Sequence, residues 1–278
     1  MMYFVYNCLL TATFFASLPL LPMLYFLGKR FHEGLGERFG FYDGAKIAAV
    51  VGARPLWIHA ASVGEVRSAA HLARGLRNRQ PSRKIVLTTF TATGNRIARE
   101  MGLADVVLFL PLDLMWIVRR ALARIDPAVL IIVETEIWPN LLREAHRKGV
   151  PTLLLSGRLS ERSLRRYSLF ATFFRRVVGY FTAMGMQSQQ DRNRIVKLGA
   201  SASQVSILGS LKRAASDAGS MRHMIAQARS ESGAKRRAAP WLVVGSSHRG
   251  EEEILIDVFI SLKQRFPQFQ MVLAPRHP

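Results

Sequence analysis

Between residues 56 and 208, short apolar runs alternate with amphipathic stretches. The runs predict strands over 56–59, 84–88, 106–110, 128–133, 152–155, 183–186 and 205–208. They are rich in Val, Ile and Leu and lack an in–out alternation, as parallel strands covered on both faces do. The stretches between them predict helices over about 66–77, 94–101, 114–124, 138–148, 163–176 and 189–198. Strand–helix alternation of this regularity defines an α/β protein with a doubly wound sheet. Ligands then belong in the loops at the carboxyl ends of the strands.

The pattern changes at both ends. Residues 1–27 carry no charged side chain, and a helix of ~20 apolar residues crosses the ~30 Å hydrocarbon core of a membrane. Lys29 and Arg30 follow the run rather than precede it, which argues against a cleaved signal and keeps the following chain cytoplasmic. An uncleaved anchor, spanning or tilted because Pro19 and Pro22 kink it, is the expectation; a buried core helix is the alternative. After Leu211 the segment 213–239 is rich in Ala, Ser and Arg and reads as a linker. A second strand–helix–strand unit follows: WLVVG from Trp241, the loop SSHRG, a helix from Glu251 and a strand over 270–274. The expected division is anchor 1–27, a domain over 28–212, linker 213–239, and the start of a second domain over 240–278. One such unit is too small to bury a core of its own.

Composition narrows the partners. The chain has 278 residues, 49% of them apolar, and 39 Lys+Arg against 19 Asp+Glu give a net charge of +20. Disorder is excluded for the chain as a whole. The single cysteine, Cys8, rules out a disulfide scaffold or thiolate metal site and points to a reducing compartment. The positive excess calls for a polyanion. Between 158 and 176, six arginines interleave with Tyr167, Leu169, Phe170, Phe173 and Phe174. This suits a helix on an anionic membrane, an RNA surface, or an ordinary solvated face over a core stripe. No RNA-binding signature accompanies it, so no nucleic acid is expected.

Three loops carry candidate chemistry. The first strand runs into His59-Ala-Ala-Ser62-Val-Gly64-Glu65. Glu65 in a first helical turn either caps amides there or serves as a general base. Glu134 and Glu136 leave the fourth strand together before Trp138-Pro139. A carboxylate directly after Ile131-Ile132-Val133 needs a pocket role or a buried ion pair. The third loop, Gly245-Ser246-Ser247-His248-Arg249-Gly250, offers amides and hydroxyls to an anion, and Arg276 follows the next strand. Metal-ligand spacings, a Walker loop and a nucleophile elbow are missing, so neither metal nor cofactor is expected.

Taken together these loops resemble one family. GERFGFY (36–42), WIHAASVGEV (57–66), TTFTATG (88–94), LPLDL (110–114), ETEIWPNLL (134–142), SGRLSERS (156–163), LGSLK (208–212), GSSHRGEEE (245–253) and LAPRH (273–277) are similar, in order and spacing, to the 3-deoxy-D-manno-octulosonic acid (Kdo) transferases. The resemblance implies an inverting GT-B glycosyltransferase, anchored on the cytoplasmic side of the inner membrane. Such an enzyme moves Kdo from CMP-Kdo to a lipid A precursor. It implies Glu65 as general base and Glu134 as a second essential carboxylate. Ser62, Gly64 and Arg158 fall on the acceptor side, and Ser246, Ser247, Arg276 and His277 on the donor side.

The chain departs from the family pattern in two places. Arg213-Ala214 stands where the family often has Phe-Asp. The family's later donor-binding segment, with its Gly-Gly-His-Asn motif, does not occur here. The expectation is therefore a complete acceptor domain with a donor domain only begun, inactive by itself. A non-enzymatic module binding anionic lipid through 158–176 is the competing expectation.

Overall fold

The computed structural model describes residues 2–17, 19, 33–211, 241–247 and 250–275. The chain forms two compact units, Met1–Asp217 and Ala218–Pro278. The first contains seven parallel strands: β1 (Leu56–His59), β2 (Ile85–Thr89), β3 (Val106–Phe109), β4 (Val129–Val133), β5 (Thr152–Gly157), β6 (Ala183–Met186) and β7 (Val205–Ile207). Their order in the sheet is β3-β2-β1-β4-β5-β6-β7. Helix α1 (Met2–Ser17) and the short α2 (Leu35–Arg38) and α3 (Gly44–Ile47) precede the sheet. The crossovers are α4 (Val63–Arg79), α5 (Ala92–Glu100), α6 (Met115–Ile125), α7 (Pro139–Arg147), α8 (Glu161–Ser168), α9 (Ala171–Val178) and α10 (Gln189–Leu198).

Successive strand residues point to opposite faces, and here both faces are dry. Trp57, Val86, Leu108, Leu130 and Ile132 pack on one side with Val118, Leu122, Leu141, Leu142 and Val177 from α6, α7 and α9. Ile58, Leu87, Val107, Ile131 and Val133 pack on the other with Val66, Ala69, Ala70, Ala73 and Ala98 from α4 and α5. The alanine-rich face of α4 brings that helix close to the sheet. Two-sided burial explains why the strands read as unbroken apolar runs.

The strand and helix expectations hold within a few residues, with one clear correction. The single helix expected over 163–176 is two. At Phe170 the backbone leaves the helical region (φ −123°, ψ 44°), and its carbonyl accepts from the amides of Phe173 and Phe174 to start α9. The break brings the rings of Tyr167 and Phe174 to 4.4 Å. In one straight helix, residues seven apart are separated by ~10 Å of rise.

Helix α1 covers only part of the expected anchor. Its 16 residues span ~24 Å. No helix among the described residues is long and apolar enough to cross a membrane. Of the remaining expected segment, 1, 18 and 20–27 lie outside the described residues. One face of α1 docks on the domain. Tyr3 Oη donates to the Pro139 carbonyl (3.1 Å) and Tyr6 Oη to Asp113 Oδ2 (2.9 Å), while Asn7 and Asn140 exchange amide hydrogen bonds of 3.2 and 2.9 Å. The opposite face leaves Phe4, Leu9 and Phe15 more than half exposed.

In the second unit, β8 (Trp241–Ser247) and β9 (Gln270–Pro275) pair in parallel, joined by α11 (Glu251–Arg265). Val243, Ile254, Ile260 and Val272 are exposed.

Candidate active site

In the strand order, β1 and β4 are neighbours whose chain connections leave in opposite directions, toward β2 and toward β5. The loops at their carboxyl ends leave the sheet toward different neighbours there, the place where open α/β sheets bind ligands. The two loops are those bearing Glu65 and Glu134.

Glu65 is buried in the first turn of α4. Its Oε2 accepts from the Ala61 amide at 2.7 Å and its Oε1 from Ser62 Oγ at 2.9 Å. The capping role anticipated from sequence is therefore present, and it fixes the carboxylate's position. The Ala61 carbonyl in turn accepts from the amides of Phe90 and Thr91, both at 3.0 Å, tying the β2–α5 loop to this one. Close approach at this junction needs Gly94, where a Cβ would lie 2.8 Å from Thr91 Oγ1 and 3.4 Å from the Ser62 carbonyl carbon. Gly64 is exposed, and its carbonyl accepts from Ser68 Oγ.

Glu134 ends β4 in the left-handed region, φ 61°. That conformation is costly for a residue with a Cβ and concentrates at functional sites. Its amide donates to the Leu155 carbonyl (2.9 Å), and its carbonyl accepts from the Glu136 amide (3.1 Å). Thr135 between them hydrogen-bonds the Arg158 backbone in both directions; the Arg158 residue is exposed.

The structure adds three residues to the site. Burial first, then the charges of Glu65 and Glu134, push the Glu136 carboxyl up to about 7 against the opposing hydrogen bond of the Trp138 indole. Three carboxylates thus gather here, with Glu136 in electrostatic reach of both Glu65 and Glu134. His59, fully buried, is pushed down to about 4 by desolvation. It stays neutral, with Nδ1 3.1 Å from both Thr88 O and Oγ1. Asp113 is the third. Trp138 at the head of α7 has no capping oxygen, so Asp113 Oδ2 and Oδ1 accept from the Asn140 (3.0 Å) and Leu141 (2.8 Å) amides. Burial raises this carboxyl to about 6 against those bonds. Glu136 was visible in sequence as a partner of Glu134; Asp113 and His59 carried no signal there beyond their motifs.

On the second unit, Ser247 is buried and its Oγ donates to Glu252 Oε1 at 3.0 Å. Ser246 lies in β8. Arg276 and His277 lie outside the described residues. Among the described residues no cluster of His, Cys, Asp and Glu is arranged to hold a metal.

A doubly wound parallel sheet with carboxylates on the loops at its switch point defines the class: a Rossmann-like α/β protein. Residues 33–215 match the model of the 3-deoxy-D-manno-octulosonic-acid transferase (kdotransferase) family, and the chain belongs to that family. It is 31% identical over 250 residues to the 3-deoxy-D-manno-octulosonic acid transferase of Haemophilus influenzae, covering 90% of this chain and 57% of that protein. The Bordetella pertussis protein of the same name is 32% identical over 250 residues, covering 87% and 56%. A bifunctional glycosyltransferase/methyltransferase of Fusobacterium nucleatum is 32% identical over 234 residues, 80% of this chain and 34% of that one. The chain spans about half the length of the first two relatives. Among solved structures, the UDP-GlcNAc 2-epimerase of Neisseria meningitidis bound to UDP-GlcNAc superposes with a TM-score of 0.55 at 11% identity, covering 78% of this chain and 64% of that one. The likeness is one of fold.

Proposed function

We propose that the protein is a glycosyltransferase of lipopolysaccharide core biosynthesis, moving Kdo from CMP-Kdo to a lipid A precursor at the cytoplasmic face of the inner membrane. The observation that carries this reading is the group of three carboxylates at the switch point, with Glu65 held by the Ala61 amide and Ser62 hydroxyl. Glu65 takes the proton of the acceptor hydroxyl as that oxygen bonds to the anomeric carbon of Kdo. The bond from that carbon to the phosphate breaks, and CMP departs with the electron pair. Glu134, in its left-handed turn, is the second carboxylate on the acceptor side, beside Ser62, Gly64 and the Arg158 loop. Ser246, Ser247, Arg276 and His277 serve the donor, where arginine and free amides suit a phosphate. The exposed apolar face of α1 and the arginines of α8 and α9 support work at an anionic membrane.

The full-length gene product, given CMP-Kdo and a tetraacylated lipid A precursor, is expected to add the mass of Kdo to the lipid in mass spectrometry. A lipid that binds without gaining mass would instead favour a lipid-binding module, the reading that exposed Leu169 and Phe170 among arginines also supports.

Glu136 gives this reading a pH signature. As pH rises through about 7 the group ionises, and the added negative charge raises the proton affinity of Glu65, strengthening the base. The kcat/KM profile of the wild type should therefore climb around pH 7. Glu136→Gln holds the neutral state, so its profile should lack that step and stay at the lower level. A profile identical to wild type would separate Glu136 from the reacting centre.

A further inference from the structure

An apolar cavity of about 490 Å³ lies between α1, the start of α7 and the α8–α9 corner. We propose that it seats one fatty acyl chain of the lipid acceptor, an inference that rests on the transferase reading above. Met2, Val5, Leu9, Ile137, Phe170 and Phe173 line it, and among the described residues no charged side chain does. Pockets for polar small molecules carry a few converging polar groups; here the Tyr6 hydroxyl already donates to Asp113 at 2.9 Å. At ~30 Å³ per heavy atom, the volume of a liquid water, the space accepts roughly a dozen or more chain carbons.

The position favours that occupant over a free apolar ligand. Ile137 and Pro139, on one wall, follow Glu134 and Glu136 in the same loop. Tyr167, on the opposite wall, feels the charge of Glu136, which adds to the rise that burial imposes on its hydroxyl. The cavity therefore adjoins the carboxylates that would face the sugar. Exposed Arg162, Arg165, Arg166, Arg175 and Arg176 stand on the same two helices, matching the anionic headgroup that an acyl chain in the cavity would bring. The corner at Phe170 brings the second wall together, and docked α1 supplies the third.

The test uses the 278-residue chain and a saturated 14-carbon fatty acid bearing a diazirine near its methyl end. Photolysis and peptide mapping should place adducts on α1 around Val5–Leu9 and on 167–174. Val5→Trp and Phe170→Asp, at positions 48% and 59% exposed, should each cut this labelling at least five-fold without lowering the melting temperature. Adducts spread elsewhere, on residues 18–32 for example, or labelling indifferent to both variants, would overturn the proposal. In the full-length enzyme Val5→Trp should raise KM at least five-fold for the acylated acceptor and leave it unchanged for the deacylated sugar. Transfer with no change in either KM overturns the acyl seat and leaves the transferase reading standing. Cavity labelling in a protein that transfers nothing does the reverse.

Discussion

Replacing Glu65 by glutamine in the full-length protein should lower Kdo transfer by ~10²–10⁴-fold, the usual worth of a positioned general base. The carboxylate already accepts from Ala61 N and Ser62 Oγ at 2.7 and 2.9 Å. Those two bonds also make Glu65 a cap, so the variant carries a stability cost of ~0.5–2 kcal/mol. The two roles separate cleanly by experiment. A base predicts turnover lost by orders of magnitude while the melting temperature falls by only a few degrees. A cap alone predicts the same small fall with turnover near wild type, and that result would end the assignment.

The second large effect concerns the scaffold. Trp57→Ala should destabilise the first unit by ~3–5 kcal/mol, the range for removing a buried large aromatic. For a unit of this size that lowers the melting temperature by roughly 10 °C. Trp57 is fully buried in β1, and its Nε1–H donates to Thr88 Oγ1 at 2.9 Å. That hydroxyl also lies 3.1 Å from His59 Nδ1, so the variant leaves β1 and β2 with a cavity and a changed polar partner. Trp57→Phe keeps most of the volume and loses the indole donor, and should cost about 1–2 kcal/mol. Thermal unfolding of both variants checks the account. A Trp57→Ala protein melting within a degree or two of wild type would show that this face of the sheet is not close-packed.

Much of this architecture was legible in the chain. β1 and β6 begin and end where their apolar runs do, because a strand buried on both faces has no polar position to blur its limits. The helix over 189–198 was likewise bounded by its own signals, Ser188 capping the Asp191 amide and Gly199 following Leu198. Helix α4 starts three residues before the expected 66, at Val63, where Glu65 reaches back to accept from the Ala61 amide and the Ser62 hydroxyl. The break at Phe170 had no glycine or proline to announce it; packing of Tyr167 against Phe174 decided it.

The candidate site divides along the same line. The residue order alone determined that this is a parallel α/β protein of the kdotransferase family and that Glu65 and Glu134 leave strands at their carboxyl ends. Those facts depend on local periodicity and on spacing along one chain. Tertiary structure decided that the two loops meet, because strand order 2-1-4-5 is a property of pairing among distant segments. It also decided that Glu136 carries a carboxyl raised to about 7, since desolvation and neighbouring charge exist only once the distant segments have packed around it. The uncharged N-terminus shows the contrast most plainly. Its composition spoke only of apolarity, while Tyr3, Tyr6 and Asn7 find Pro139, Asp113 and Asn140 across more than a hundred residues of sequence. Hydrogen bonds at that separation are set by the fold and cannot be read from local order.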